Sequence, residues 1–331
     1  MCAEVNSRSA LYQPLTEAEL VRVVAAGLHT RPVSQKLLTG GLFNTTYLVD
    51  TAHCGKVVLR MGPVNRHLLM PFEHHLMESE AQVYDLLAQR GVAASEILAV
   101  DLSKTVVDRD FMFVRYLPSR AMSECDLAGE DRERVCRAIG EAAGRMHEIC
   151  ADRFGRVAAV SHGRGHARWS DALYADLLEW ETVAAPAEIF PGEAHEEIRR
   201  LFRAAAPVLD EITSPQLVHT DLWLGNVLIR TDTPRPEFGA IIDADRALWG
   251  DPMYEFSSIR WAYREPAFWE GYGKGPAQGK NAEIRRAVYT LHNLLLNTYV
   301  YFKEYNDAEN GVRERANVYE TMGNIRRLME C

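Results

Sequence analysis

The sequence predicts an α+β protein in which a small antiparallel sheet precedes a larger, mostly helical part. Short β-branched segments separated by turn residues dominate the first third, whereas apolar residues recur at helical spacing from Leu127 onward. The chain has 331 residues, which is long for a single core and predicts two lobes. We place the boundary after residue 117, giving lobes of residues 1–117 and 118–331, with Pro118-Ser119-Arg120 as the linker.

The first lobe is predicted to open with a helix and to continue as strands. Thr16 and Glu19 have the spacing of a capping box, ahead of apolar residues at helical spacing. Segments with strand character follow, several of them bounded by glycine-bearing turns. A single long helix is predicted over residues 73–89. The predicted strands cover residues 33–38, 45–50, 56–61, 97–101, 105–108 and 111–117.

The second lobe is predicted to be helical with few strands. In the helix predicted over 281–304, Ile284, Val288, Leu291 and Leu295 form one apolar stripe. A short strand over 216–218 runs into His219, and two more strands bracket a proline-bearing turn. The predicted helices cover residues 131–149, 170–181, 193–212, 281–304 and 312–330, and the bracketing strands cover 226–230 and 238–242.

Charge and composition exclude several classes of function. The net charge of −9 argues against nucleic acid as a partner, and an acidic protein can attract a cationic small molecule. No apolar run approaches the roughly 20 residues that span a bilayer, so we expect no membrane association. The six cysteines are scattered without a CxxC pair, which is typical of reduced thiols and favours a cytoplasmic location. Nothing in the sequence indicates an oligomeric state.

The stretch HTDLWLGNVLI, residues 219–229, carries the clearest chemistry. Asp221 and Asn226 stand at the two ends of one tight loop between strands, so their side chains can converge. In phosphoryl transfer a carboxylate accepts the proton of the attacking hydroxyl and an amide oxygen helps to hold Mg²⁺. Asp243 follows the apolar pair Ile241-Ile242 at a strand end and is a suitable hard ligand. Either loop residue alone could simply cap a turn, but the full set with its strand context favours catalysis.

This loop resembles the catalytic loop of the aminoglycoside phosphotransferase and choline kinase-like families, distant relatives of protein kinases. IIDAD and GDPMYE, residues 241–245 and 250–255, resemble the metal-binding segment and following helix of those families. The resemblance covers roughly residues 33 to 305. It implies a bilobal protein-kinase-like fold, ATP or GTP as donor, Mg²⁺ as cofactor, and a small hydroxylated acceptor. Asp221 would be the catalytic base, Asn226 and Asp243 would bind Mg²⁺, and His219 would brace the loop.

The same resemblance implies nucleotide contacts in the first lobe. Gly40, Gly41 and Asn44 lie in a hairpin that would cover the phosphates, because glycine lets the backbone approach closely. Arg60 occupies the strand position where protein kinases carry lysine, and Lys56 on the same face is the alternative cation. Glu80 falls on the apolar stripe of helix 73–89, where a carboxylate needs a partner, and either cation could supply it.

The segment Phe111–Leu117 resembles the strand and hinge that hold the adenine, with the backbone of Arg115 and Leu117 as contacts. The family often has a glycine after the hinge proline, where this chain has Ser119-Arg120.

For the acceptor, the candidates are Trp223, Asp245 and Glu255. Aromatic residues more often fill a core than bind a ligand, and a structural role on the helix is the alternative for Glu255. WSDALYADLLEW (169–180) and GDPMYEFSSIRW (250–261) resemble most the antibiotic kinases of the hygromycin and related aminoglycoside type. This resemblance implies phosphorylation of an antibiotic-like acceptor, conferring resistance. Kinases of choline, homoserine or sugars, a non-catalytic nucleotide-binding module, and a metal-dependent hydrolase using His219, Asp221 and Asp243 remain alternatives.

Two histidines attract attention outside this set. His162 and His166 are four residues apart, but two glycines separate them and no third ligand is near in sequence. We therefore expect no metal site there, since structural zinc usually has four protein ligands.

Overall fold

The computed structural model describes residues 9–38 and 41–330, and describes Ser258 by its backbone only. Its contacts divide the chain into two compact units. Unit 1 comprises residues 9–38, 41–69, 95–117 and 300–310, and unit 2 comprises 70–94, 118–299 and 311–330. Segment 70–94, which the sequence analysis assigned to the first lobe, thus packs with the helical unit.

Unit 1 is an antiparallel sheet covered by one helix. The helix α1 (Glu17–Leu28) begins with the predicted capping box, in which Thr16 and Glu19 exchange hydrogen bonds. The sheet has the order β1-β2-β3-β5-β4, and α1 packs on it through Leu20, Val23 and Val24. The strands are β1 (Pro32–Leu38), β2 (Thr45–Thr51), β3 (Gly55–Met61), β4 (Ile97–Asp101) and β5 (Phe111–Arg115).

The strand predicted over 105–108 is wrong. Residues 105–109 form bends instead. Asp101 accepts hydrogen bonds from the backbone N–H of Ser103 (2.7 Å) and from its hydroxyl (2.6 Å), which turns the chain away from the sheet. The bend delivers Arg109 into the unit, where its guanidinium donates to Gly62 O, Gln13 O and Thr45 Oγ1.

Helices make up most of unit 2. The predicted helix over 281–304 ends earlier than expected, because Val300–Glu304 forms a π-helical turn that belongs to unit 1. None of the helices in the described part of the chain is both long and apolar enough to cross a membrane. The helices are α2 (Leu76–Gln89), α3 (Gly129–His147), α4 (Val157–Ser161), α5 (Trp169–Ala184), α6 (Gly192–Leu209), α7 (Glu255–Ser258), α8 (Pro266–Tyr272), α9 (Lys280–Tyr299) and α10 (Ala308–Glu330), the last beginning in unit 1.

Two small sheets position the loops of unit 2. The first has the order β10-β9-β6 and the second the order β7-β11-β8. Ser119 and Arg120, predicted as linker, are part of the first sheet. The strands predicted in unit 2 are confirmed to within one residue, and three further strands of two or three residues in this unit were not predicted. The strands are β6 (Ser119–Ala121), β7 (Gly155–Arg156), β8 (Gln216–Val218), β9 (Val227–Arg230), β10 (Glu237–Ile241) and β11 (Leu248–Gly250).

Unit 2 contains a buried histidine that should make its stability depend on pH. The ring of His292 on α9 contacts the Tyr254 hydroxyl at 2.6 Å, and its Nε2 lies 3.8 Å from the Asp176 carboxylate. Burial, with a smaller contribution from Arg156, lowers the pKa of His292 to about 3. The unfolded chain therefore takes up a proton below a pH of about 6.5 that the folded chain does not, and stability falls as the pH decreases.

We expect the free energy of unfolding to fall by about 2 kcal/mol between pH 7 and pH 5 because of this histidine. Below the pKa of the histidine in the unfolded chain, each pH unit lowers the free energy of unfolding by about 1.4 kcal/mol. Urea unfolding of the wild type and of His292→Asn at both pH values measures the difference. His292→Asn should lose this part of the pH dependence, whereas the exposed His67→Asn should retain it. Equal pH dependence in His292→Asn and wild type would contradict the assignment.

Candidate active site

The loop between β8 and β9 brings the two predicted catalytic side chains together. Asn226 donates from Nδ2 to the Asp221 carboxylate at 3.0 Å and to the Asp221 carbonyl oxygen at 2.8 Å. The nitrogen of the amide is thus turned toward Asp221, and its oxygen is directed elsewhere. The pair forms because the chain reverses over residues 221–226, where the Asn226 N–H also donates to Trp223 O.

His219 is fully buried and holds this loop from behind. One ring nitrogen, Nδ1, accepts the Asp221 backbone N–H at 3.2 Å, so the proton of a neutral ring is on Nε2 and donates to Ile242 O at 2.9 Å. Both ring nitrogens are therefore engaged in the protein. This arrangement opposes the hydrolase alternative, which required His219 as a metal ligand.

Asp243 follows β10 and is held against the same loop. The Ile242 N–H donates to Asn226 O at 3.0 Å, and the Asp243 N–H donates to the Tyr84 hydroxyl at 2.9 Å. Asp243 has a φ of 65°, a left-handed conformation that is uncommon for residues other than glycine and occurs often at active sites. The structure thus brings Asp221, Asn226 and Asp243 into one group.

A second set of carboxylates adjoins Asp243. Ligand atoms of Glu80, Asp243 and Asp245 all lie within 4.8 Å of one another. Glu80 is fully buried on α2, as its place on the apolar stripe predicts, and the Tyr84 hydroxyl donates to it at 2.5 Å. Arg60 belongs to unit 1 and Glu80 to unit 2, and the ion pair expected between them remains a prediction.

Electrostatics at the base favour proton acceptance near neutral pH. Burial, followed by the neighbouring Asp243 carboxylate, raises the pKa of Asp221 to about 7, although Arg246 and the hydrogen bond from Asn226 act in the opposite direction. A carboxylate with such a pKa is an effective general base. A cation bound to Asp243 would cancel the part of this shift that Asp243 causes.

Glu255 has the structural role, which was the alternative to acceptor binding. Its side chain is fully buried, and its carboxylate accepts the backbone N–H groups of His219 (2.8 Å), Thr220 (3.3 Å) and Leu222 (3.3 Å). Burial alone would raise the pKa of Glu255, but the neighbouring His147 and His219 outweigh it and lower this pKa. A carboxylate occupied in this way fixes the catalytic loop, and it is not placed to bind an acceptor.

Trp223 remains the candidate nearest to the base that a ligand can reach. The side chain is 51% exposed, two residues after Asp221. Its indole lies against Gly225, where a Cβ atom would collide with the ring. The absence of a side chain at Gly225 therefore makes room for the indole. The indole of Trp261 supports the loop from the other side by donating to Leu222 O at 3.3 Å.

The nucleotide candidates of unit 1 are only partly described. Gly40 lies outside the described residues. Gly41 and Asn44 lie in the connection from β1 to β2, and a Cβ on Gly41 would be 3.2 Å from the Asn44 carbonyl oxygen. Arg60 is buried on β3, whereas Lys56 is exposed, with its Nζ 5.9 Å from the centre of the Tyr116 ring. The two candidate cations thus differ in burial, with Arg60 buried and Lys56 exposed.

The candidate hinge residues differ in what their backbones can offer. The Arg115 N–H donates to Glu96 O at 2.8 Å, and its guanidinium pairs with the Glu96 carboxylate on the surface. A nucleotide contact from Arg115 is therefore limited to its carbonyl oxygen. Leu117 lies beyond the end of β5 and is half-buried.

The sequence analysis missed two residues that the structure places beside the site. Tyr84 connects Glu80 to Asp243 through its hydroxyl, and Arg246 pairs with Glu73 at 2.5 Å while lowering the pKa of Asp221. The position of Tyr84, four residues after Glu80 on the same helix face, could have identified it. Nothing in the sequence near Arg246 predicts its distant partner.

Comparisons with known proteins bear on the family and the fold of this chain. Residues 34–287 match the model of the Phosphotransferase enzyme family. The fold is similar to that of a candidate fructosamine-3-kinase from Thermobifida fusca YX-ER1 (TM-score 0.68, 16% identity, 93% of this chain and 98% of that chain). It is also similar to an aminoglycoside phosphotransferase in complex with GDP and kanamycin (TM-score 0.63, 15% identity, 91% and 97%). Spectinomycin phosphotransferase with ADP and spectinomycin is a third similar structure (TM-score 0.55, 13% identity, 96% and 98%). Curated protein sequences give no significant match.

Proposed function

The chain belongs to the phosphotransferase enzyme family, and from that premise we propose that it transfers the γ-phosphoryl group of ATP, or of GTP, to a hydroxyl group of a small acceptor. The observation that carries this proposal is the contact of Asp221 with Asn226 at 3.0 Å, beside Asp243. A carboxylate base next to oxygen ligands for a divalent ion is what phosphoryl transfer requires.

The residues of the loop have distinct roles in this reaction. Asp221 orients the acceptor hydroxyl and accepts its proton as the oxygen bonds to the γ-phosphorus and the bond to the β–γ bridging oxygen breaks. The amide oxygen of Asn226 and the Asp243 carboxylate are hard donors that fit Mg²⁺. When bound, Mg²⁺ neutralises charge on the phosphate oxygens. His219 and Glu255 keep the base in place through the backbone of the loop.

The acceptor is best matched by an aminoglycoside-like antibiotic, whose modification would confer resistance. The net charge of −9 and the Asp245 carboxylate, which has a ligand atom within 4.8 Å of one from Asp243, favour a cationic acceptor. Trp223 adds an exposed aromatic face that can stack on a sugar ring or contact an ammonium group. A metabolite kinase acting on choline, homoserine or a sugar is the alternative, and the likeness to a candidate fructosamine-3-kinase keeps a sugar acceptor open.

A mass measurement tests the proposal directly. The protein is incubated with MgATP or MgGTP and a panel of aminoglycosides, glycated amines, amino alcohols and nucleosides. We expect one acceptor class to gain the mass of one phosphate with release of the nucleoside diphosphate. Hydrolysis of nucleotide without phosphate gain on any acceptor would contradict the proposed transfer.

The exposed tryptophan should control affinity for the acceptor. Trp223→Ala removes a stacking contact of about 1.4 kcal/mol, and we expect the KM for the acceptor to rise about tenfold. The KM for ATP should stay the same, because the indole is assigned to the acceptor. Steady-state kinetics of Trp223→Ala and of Trp223→Phe, which retains an aromatic face, measure the effect. A change confined to the KM for ATP would remove Trp223 from the acceptor site.

We also propose a cytoplasmic location. The cysteines of the described residues are free thiols, namely Cys54, Cys125, Cys136 and Cys150. Free thiols, two of them exposed, suit a reducing compartment.

A further inference from the structure

Unit 2 contains a second cluster of ligating side chains that shares no residue with the candidate active site. His75 precedes α2, Glu78 lies in the first turn of α2, and His162 follows α4, 84 residues further along the chain than Glu78. His75 Nδ1 lies 3.0 Å from Glu78 Oε2, and His162 Nε2 lies 2.8 Å from Glu78 Oε1. The third ligand that the local sequence around His162 lacks is thus supplied by the fold.

The geometry of this cluster suits a metal ion. One ligand atom from each of the three residues lies within 4.8 Å of the other two. The two imidazole rings are inclined at 78° with centroids 5.4 Å apart, so they do not stack, and each directs a nitrogen at the same carboxylate. Two histidines that share one glutamate have the ligand types of open zinc sites with two histidines and a glutamate.

A neighbouring side chain holds the Glu78 carboxylate by a hydrogen bond, as is usual for carboxylates that bind metal ions. Gln82, one turn further along α2, donates to Glu78 Oε1 at 3.3 Å and to the Ser161 hydroxyl at 3.2 Å. Such outer partners hold a ligand in position and tune its affinity. The three ligand side chains are 39%, 22% and 41% exposed in chain order, so an ion can reach them from solvent.

We propose that His75, Glu78 and His162 bind a divalent transition-metal ion, with Zn²⁺ as the preferred ion, and so link the start of α2 to the end of α4. Imidazole nitrogen favours Zn²⁺ over Mg²⁺, which prefers oxygen ligands. His75 also lines a cavity with Arg164 and Glu179, from which water can complete the coordination. His166 takes no part, because its backbone pairs with Phe154 and its side chain is not in the cluster.

Calorimetric titration of the untagged, chelator-treated full chain with ZnCl₂ in excess Mg²⁺ tests the site without reference to activity. The excess Mg²⁺ occupies the oxygen ligands of the candidate active site. We expect one Zn²⁺ per chain for the wild type and for the control His67→Ala, which removes an exposed histidine elsewhere. His162→Ala and His75→Ala should weaken binding by more than the roughly 10–100-fold that loss of an outer partner causes.

A spectroscopic measurement identifies the ligands independently of affinity. Co²⁺ bound to the wild type should give the visible absorption of nitrogen and oxygen ligands, and His162→Cys should add an intense sulfur-to-metal charge-transfer band. That variant also shows whether loss of binding in His162→Ala comes from the missing ligand. Absence of Zn²⁺ binding to the wild type, binding in His162→Ala within about 100-fold of it, or no sulfur band in His162→Cys would each overturn the proposal.

Discussion

Asp221→Asn should reduce kcat for phosphoryl transfer by about 10²–10⁴-fold, the usual contribution of a general base. The amide keeps the shape of the side chain and can still contact Asn226, but it cannot accept the proton of the acceptor hydroxyl. The loop is held by His219 and Glu255 through backbone groups, so we expect the fold to be retained. Steady-state kinetics with the acceptor found by mass spectrometry measure the loss.

The control for this prediction is an aspartate of the same unit outside the site. Asp232→Asn changes an exposed residue after β9 that pairs with Arg230, and its kcat should match that of the wild type. Nucleotide affinity, measured by calorimetry, should change little in Asp221→Asn, because its role is assigned to the acceptor. Full turnover in Asp221→Asn would remove the base from the proposed mechanism.

The candidate site could be predicted because its chemistry is local. Asp221 and Asn226 are five residues apart in a loop between two recognisable strands, and Asp243 follows the next strand, so short-range geometry brings the three together. The burial of Glu80 could be predicted for a similar reason, since helical periodicity alone places it on the apolar face of α2.

Interactions between distant segments were not predictable in the same way. The strands β6, β7 and β11 have two or three residues each, too few for a period-2 pattern, and they exist because their partners lie elsewhere in the chain. The same limit applies to His75 and His162, whose shared contact with Glu78 depends on how α2 packs near α4. For Glu255 the sequence left two roles open, an amine-bearing acceptor and a structural role on the helix, and only the fold, which buries it against backbone N–H groups, favours the second.

Because Glu255 is fully buried, Glu255→Ala should lower the free energy of unfolding of unit 2 by roughly 3–5 kcal/mol. This is the usual cost of removing one partner of a buried charged pair. The substitution leaves the backbone N–H groups of His219, Thr220 and Leu222 without their acceptor. Each buried donor left unsatisfied costs about 1–3 kcal/mol. Urea unfolding measures the loss of stability.

The catalytic consequence separates this role from direct acceptor binding. Glu255→Gln keeps an acceptor oxygen at nearly the same place, so it should recover part of the stability and part of kcat, while the KM for the acceptor stays near that of the wild type. The matched control is Glu270→Gln on α8, which removes a glutamate that pairs with Arg137 on the surface and should change stability by less than about 1 kcal/mol. A residue that bound the acceptor would show the opposite pattern, in which Glu255→Gln raises the KM for the acceptor and leaves the unfolding transition unchanged. Because the carboxylate faces the catalytic loop from inside the protein, we expect stability and kcat to fall together.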